Sequence, residues 1–162
     1  MINIRSLLEH LDPHTATLLV GFVSALIPIV NIELFLLAAA AIASTSFPVW
    51  TLGIVAAVGQ MIGKTLWYWS AGAALDSRPG RRFAPERVAA LRLRMAAMNA
   101  WVLSGLSFGS ALTGFPPFLL FSILAGAVRM KYWRFAATGL AGRCLRLVAI
   151  VSFPHAIKRL FS

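Results

Sequence analysis

The chain has 162 residues, the size of one domain, and its composition excludes a soluble fold: 59% of the residues are hydrophobic, 12% are charged, and the mean hydropathy is +0.81. Soluble domains carry about 25% charged residues, so half that number cannot cover a water-facing surface, and lipid is the expected solvent. The net charge of +10, from 15 Lys and Arg against 5 Asp and Glu, is concentrated at Arg78, Arg81, Arg82, Arg87, Arg92 and Arg94, then at Arg129, Lys131 and Arg134. These positions flank apolar blocks, the pattern of short cytoplasmic loops, which excludes nucleic acid as the partner.

In chain order, residues 1–12 are mixed and read as a short surface segment. Glu9, His10, Asp12 and Pro13 stand where a secretory signal needs basic and then apolar residues, so no cleavable targeting segment is expected. Asp12-Pro13 predicts a helix start, with the carboxylate capping free N–H groups and proline at the first helical position. The apolar run 15–30 is shorter than the roughly 20 residues of a full span. It ends in Pro28-Ile29-Val30-Asn31-Ile32-Glu33, which joins a helix breaker, an amide and a carboxylate, and a second short run, 34–43, follows. Two short pieces around a polar break predict a broken or re-entrant helical hairpin, because exposed backbone is tolerated at membrane depth only where protein or a water cavity satisfies it.

Residues 48–72 are apolar and long enough to cross a bilayer. Gly59-x-x-x-Gly63 has the spacing that lets another helix approach closely, and Trp67, Tyr68 and Trp69 fit an interfacial aromatic belt. Residues 73–100 form a basic linker. In it Ser77-Arg78-Pro79-Gly80 predicts a turn, and Pro85 opens an amphipathic helix with Val88, Leu91, Met95 and Met98 on one face. Arg87 and Arg94 fall outside that stripe and are expected to meet anionic headgroups.

The second half repeats this order. A short apolar piece, 101–113, a break at Gly114-Phe115-Pro116-Pro117 and a second short piece, 118–128, are followed by the basic residues 129–134 and a spanning stretch, 135–153. The expected fold is therefore an all-α membrane protein of one domain, with two inverted halves, 15–72 and 101–153. Each half is a re-entrant helical hairpin followed by a transmembrane helix, and the linker 73–100 joins them on the cytoplasmic side.

Glu33 is the one acidic residue inside an apolar block. A central charged residue costs about 2.5–3.5 kcal/mol on insertion scales, so its side chain should face protein or water. A carboxylate at a helix start on the membrane edge is the structural alternative. Lys64 follows Gly59-x-x-x-Gly63, while Arg143 follows Gly139-x-x-Gly142 and is flanked by more apolar sequence than Arg146. Glu33 is expected to pair with Lys64 or Arg143, whereas Lys64 and Arg146 could equally snorkel to an interface. No HExxH, metal-spaced Cys/His cluster, phosphate-cradling Gly-rich loop or Ser-His-Asp set is present, so neither enzymatic activity nor a metal or cofactor is expected. The single cysteine, Cys144, reads as packing, and His10, His14 and His155 read as interfacial.

Ile27-Pro28-Ile29-Val30-Asn31-Ile32-Glu33 resembles the Pro-then-Glu motif of the DedA family, also called VTT-domain or SNARE-associated Golgi proteins. Further matches are Gly59-x-x-x-Gly63 with Tyr68 and Gly72, then Leu124-Ala125-Gly126-Ala127-Val128-Arg129-Met130, Phe135 and Gly142. Together they cover about residues 18 to 150. The family commonly carries an Arg-Phe-x-Pro-Gly-x-Arg pattern at the second break, and here Gly114-Phe115-Pro116-Pro117-Phe118-Leu119-Leu120 lacks both arginines, as in a divergent, short branch. The resemblance implies a multi-pass protein of the bacterial inner membrane with opposed hairpins, moving lipids or lipid-linked phosphates and in some members coupled to protons. It carries Glu33 over as the functional residue, with Arg129 and Gly126 at motif positions. Candidate substrate or ion contacts are thus Glu33, Lys64, Arg143 and Arg129, and candidate structural positions are Pro28, Gly114, Pro116, Pro117 and Gly126. Membrane lipids are the expected partners, and a homo-oligomer is compatible with the small-residue faces. The reading from a different class is a non-transporting membrane scaffold that binds partners through the basic linker, with Arg81, Arg82, Arg87 and Arg94, and through small-residue helix faces.

Overall fold

Asp12 starts the first helix as predicted: its side chain accepts a hydrogen bond from the His14 backbone N–H at 3.1 Å, and Pro13 occupies the first helical turn. The computed structural model describes residues 12–27, 30–42, 48–76 and 86–160, and among them every regular element is helical. These are α1 (Pro13–Leu26), α2 (Ile32–Ile42), α3 (Trp50–Asp76), α4 (Glu86–Ala96), α5 (Ala100–Thr113), α6 (Phe118–Ala127) and α7 (Tyr132–Leu160). Pro28, the turn expected at 77–80, Pro85 and the basic residues Arg78, Arg81 and Arg82 lie outside the described residues, as does the side chain of Arg87.

Two compact units make up the chain, one of residues 1–60 and 144–162, the other of residues 61–143. The first contains α1, α2, the leading part of α3 and the trailing part of α7. Its packing depends on small residues. Gly21 is buried, and a Cβ there would lie 2.8 Å from the Ala56 carbonyl oxygen; a Cβ on Gly59 would overlap the Leu18 carbonyl. Backbone-to-backbone approach of α1 and α3 therefore requires both glycines, as the spacing at Gly59 suggested. Within this close contact the buried Gln60 amide donates to Ser24 Oγ at 3.1 Å, and Ser24 donates to the Gly21 carbonyl at 2.7 Å. On the other side of α3, a Cβ on Gly53 would lie 2.8 Å from Val148 N, so α7 approaches as closely.

The second unit is organised by aromatic stacking. Tyr68 stacks on Phe135 with ring centroids 5.0 Å apart, Phe135 on Phe118 at 5.7 Å, and Phe118 on Phe121 at 6.1 Å. Tyr68 is buried and its hydroxyl donates to the Met130 carbonyl. This corrects the expectation of a belt residue: only Trp69 of the three aromatics is exposed. The reason is helical phase, since Tyr68 shares the inward face of α3 with Met61 and Lys64. A Cβ on Gly126 would overlap the Tyr68 carbonyl, so α6 lies directly on α3 there. Gly126 is consequently a helix-packing position near the end of α6, not part of the break at 114–117.

The linker helix α4 also belongs to this unit. Met95 is buried in its core, whereas Leu91 and Met98 are exposed, and the side chain of Val88 lies outside the described residues. Arg94 is exposed, outside the stripe as expected.

Candidate functional site

The first break places Glu33 by helix capping. Asn31 Oδ1 accepts from the Glu33 N–H at 2.9 Å and from the Leu34 N–H at 3.3 Å, so the amide of the polar break caps α2. Glu33 then sits in the first helical turn, where the helix dipole favours negative charge. Asparagine just ahead of an acidic residue and an apolar run is a recognisable helix start, a signal the sequence reading left unused.

Glu33 pairs with Arg146: its Oε1 lies 2.5 Å from Arg146 Nη2, and both side chains are about one-third exposed, at 34% and 30%. Lys64 and Arg143 were the expected partners; Glu33 instead meets Arg146, nearly one helical turn beyond Arg143 on α7. Arg143 instead places its guanidinium carbon 4.5 Å from the Phe118 ring centroid, and Lys64 is buried at 6% exposure with the charge of Arg143 acting on it.

The second break closes on its own backbone. Gly114 takes a left-handed conformation, φ 80°, to cap α5, and its N–H donates to the Ser110 carbonyl at 2.9 Å. Ser110 Oγ donates to the Pro116 carbonyl at 2.6 Å, which satisfies a turn that two prolines leave short of donors. Pro117 precedes α6 without a side-chain cap. Gly114, Pro116 and Pro117 thus stand where the break was expected and hold it structurally.

Arg129 takes a backbone role. Its φ of 53° is left-handed, its N–H donates to Gly126 O at 3.1 Å, and the Met130 N–H donates to Ala125 O at 3.0 Å. This pair of bonds is the usual glycine-type closure of a helix C-terminus, here made by an arginine with its side chain exposed. Among the described residues no group of three His, Cys, Asp or Glu side chains comes together as a metal site would require.

Compared with family models, with curated proteins and with solved structures, the chain has no match.

Proposed function

We propose that the chain spans the bacterial inner membrane as two inverted halves of the DedA type, with Glu33 and Arg146 as the responsive pair of a transporter that moves a lipid or lipid-linked phosphate between leaflets. The polarity of the helices supports membrane residence. Ile54, Val58, Ile62 and Leu66, spaced four apart along α3, are all exposed, while Thr17, Gln60, Lys64, Ser107 and Ser122 are buried. Apolar residues outside and polar residues inside suit a chain whose solvent is lipid. Within α7, residues Tyr132–Ser152 are long and apolar enough to cross a bilayer. They are the only such stretch among the described residues, since Gln60 and Lys64 make α3 more polar. Helices α1, α5 and α6 are apolar but shorter, and with α2 they form the two pairs, α1/α2 and α5/α6, on either side of the two breaks.

One observation carries the functional part: the Glu33–Arg146 ion pair, about one-third exposed at the head of α2. Charges in an apolar chain are costly unless paired, and a pair with access to its surroundings can exchange partners. Protonation of Glu33, or an anionic headgroup competing for Arg146, would separate the two side chains and free α2 from α7. No enzymatic step is assigned. The test uses purified protein in liposomes with fluorescent phospholipid, comparing wild type with Glu33→Gln, which keeps size and loses charge. Transport should fall at least tenfold; equal rates would remove Glu33 from the mechanism.

A further inference from the structure

The head of α1 carries a carboxylate and an imidazole two residues apart, and the imidazole reaches the head of α3. His14 Nε2 lies 3.0 Å from Thr51 Oγ1, 37 residues on in sequence, and His14 Nδ1 lies 3.5 Å from Asp12 Oδ2. All three residues belong to the first compact unit. The side chain of His14 is 35% exposed and that of Asp12 63%, so a dissolved ion can reach both. Neither α1 nor residues 50–59 of α3 contain a lysine or arginine to compete with a bound cation.

Thr51 decides which ring nitrogen of a neutral His14 holds the proton. The Thr51 hydroxyl donates to the Pro48 carbonyl at 2.7 Å, so its one proton is committed and its oxygen accepts from the imidazole. His14 then has its N–H on Nε2 and turns Nδ1 toward Asp12 as an acceptor. The separation of 3.5 Å is long for a hydrogen bond from nitrogen to a carboxylate. It suits a shared ion, because two ligands each about 2.1 Å from a tetrahedral zinc lie about 3.4 Å apart. Asp12 Oδ2 also accepts the capping bond from the His14 backbone N–H at 3.1 Å, and a carboxylate has lone pairs enough for both tasks.

We propose that Asp12 and His14 form a two-residue chelate for a divalent transition ion of the zinc class, with Thr51 orienting the imidazole. A ring nitrogen beside a carboxylate oxygen favours Zn²⁺, Ni²⁺ or Cu²⁺ over Mg²⁺, which takes oxygen ligands. In the metal-free protein a proton on Nδ1 makes the same bridge to Asp12, and the ion replaces it. The Thr51 hydroxyl acts as the outer partner that fixes the tautomer of a ligating histidine. Two protein ligands fall short of the three that a closed centre needs, so water completes the shell and the ion stays exchangeable. The positive end of the α1 dipole also keeps the affinity modest. When occupied, the chelate holds the start of α1 against the start of α3. It involves neither Glu33 nor Arg146, so it stands apart from the transport reading.

The experiment measures zinc binding by the full chain, purified in detergent without a histidine tag and stripped with a chelator. Zinc chloride is titrated in a calorimeter, the thermal midpoint is read with and without zinc, and magnesium chloride serves as the control. Wild type should bind zinc, gain a higher midpoint from it and ignore magnesium. His14→Ala and Asp12→Asn should each weaken zinc binding at least tenfold, and Thr51→Val, which removes the orienting hydroxyl, about tenfold. Folding is checked by circular dichroism. Should His14→Ala fail to fold, Asp12→Asn decides, because asparagine caps a helix as well as aspartate does and removes only the charge. A wild-type protein that ignores zinc overturns the chelate, as does zinc binding that survives His14→Ala or Asp12→Asn undiminished. An equal response to magnesium would reveal simple attraction to the Asp12 charge and overturn it as well. Unchanged binding by Thr51→Val would remove the orienting role of Thr51.

Discussion

Arg146 holds Glu33 across more than a hundred residues of sequence, with its guanidinium 2.5 Å from the carboxylate at the head of α2. The contact ties the start of a short apolar helix to a long one, so its loss should be felt in stability as well as in transport. With both partners about one-third exposed, the coupling energy should be about 1 kcal/mol. A double-mutant cycle with Glu33→Gln and Arg146→Gln, read by unfolding in detergent, measures it. The reversed pair, Glu33→Arg with Arg146→Glu, should recover part of the loss from either reversal alone. Strict additivity of the two single changes would show that the pair contributes nothing.

The glycines divide into two groups by what surrounds them. Gly59 and Gly126 face backbone of α1 and α3, whereas Gly105 and Gly109 on α5 have nothing within 4 Å of an added Cβ. Gly59→Ala and Gly126→Ala should therefore cost about 1–3 kcal/mol through forced backbone shifts. Gly105→Ala and Gly109→Ala should be neutral or gain about 0.5–1 kcal/mol from lower unfolded-state entropy. Thermal midpoints of the four variants, in one detergent, separate the groups. A Gly126→Ala protein as stable as wild type would contradict the close contact with Tyr68.

Arg129 presents a choice between backbone and side-chain roles. Its left-handed φ of 53° disfavours any residue with a Cβ, so Arg129→Gly should raise stability by about 1 kcal/mol while keeping the closing hydrogen bonds. Transport by that variant should stay within a few-fold of wild type. A rise in stability together with a large fall in transport would return the exposed guanidinium to the list of substrate contacts.

Local patterns in the sequence account for the helices better than for the pairings. Asp12-Pro13 marked the start of α1, Gly114 and the two prolines marked the second break, and the expected short pieces correspond to α1, α2, α5 and α6. Each of these rests on propensity or capping, which act within a few residues. The partner of Glu33 does not: the more apolar flanks that favoured Arg143 are local, and the choice follows from which arginine of α7 reaches the head of α2. Tyr68 was misplaced for a similar reason, because a Trp-Tyr-Trp run has three residues pointing three ways around a helix and only packing tells which is inward. Asn31 and Gly21 were legible but overlooked. One is a capping residue before an acidic first turn, the other part of a small-residue stripe with Thr17, Ser24 and Ala25.

The proposal that the two halves are inverted makes a prediction about access. Inverted hairpins expose their breaks to opposite sides of the membrane, and parallel ones expose them to the same side. Cys144 is the only cysteine, so a Cys144→Ala background removes all other thiols. Val30→Cys reports on the first break without disturbing the Asn31 cap, and Phe115→Cys reports on the second, where the native side chain is 81% exposed. On the proposed topology the basic residues 78–94 and 129–134 lie inside, the second break faces the cytoplasmic side and the first the outer side. In intact cells a membrane-impermeant maleimide should therefore modify Val30→Cys and spare Phe115→Cys until the membrane is opened. Labelling of both from the same side would remove the inverted arrangement, and with it the reason to expect that a substrate released by one hairpin is received by the other.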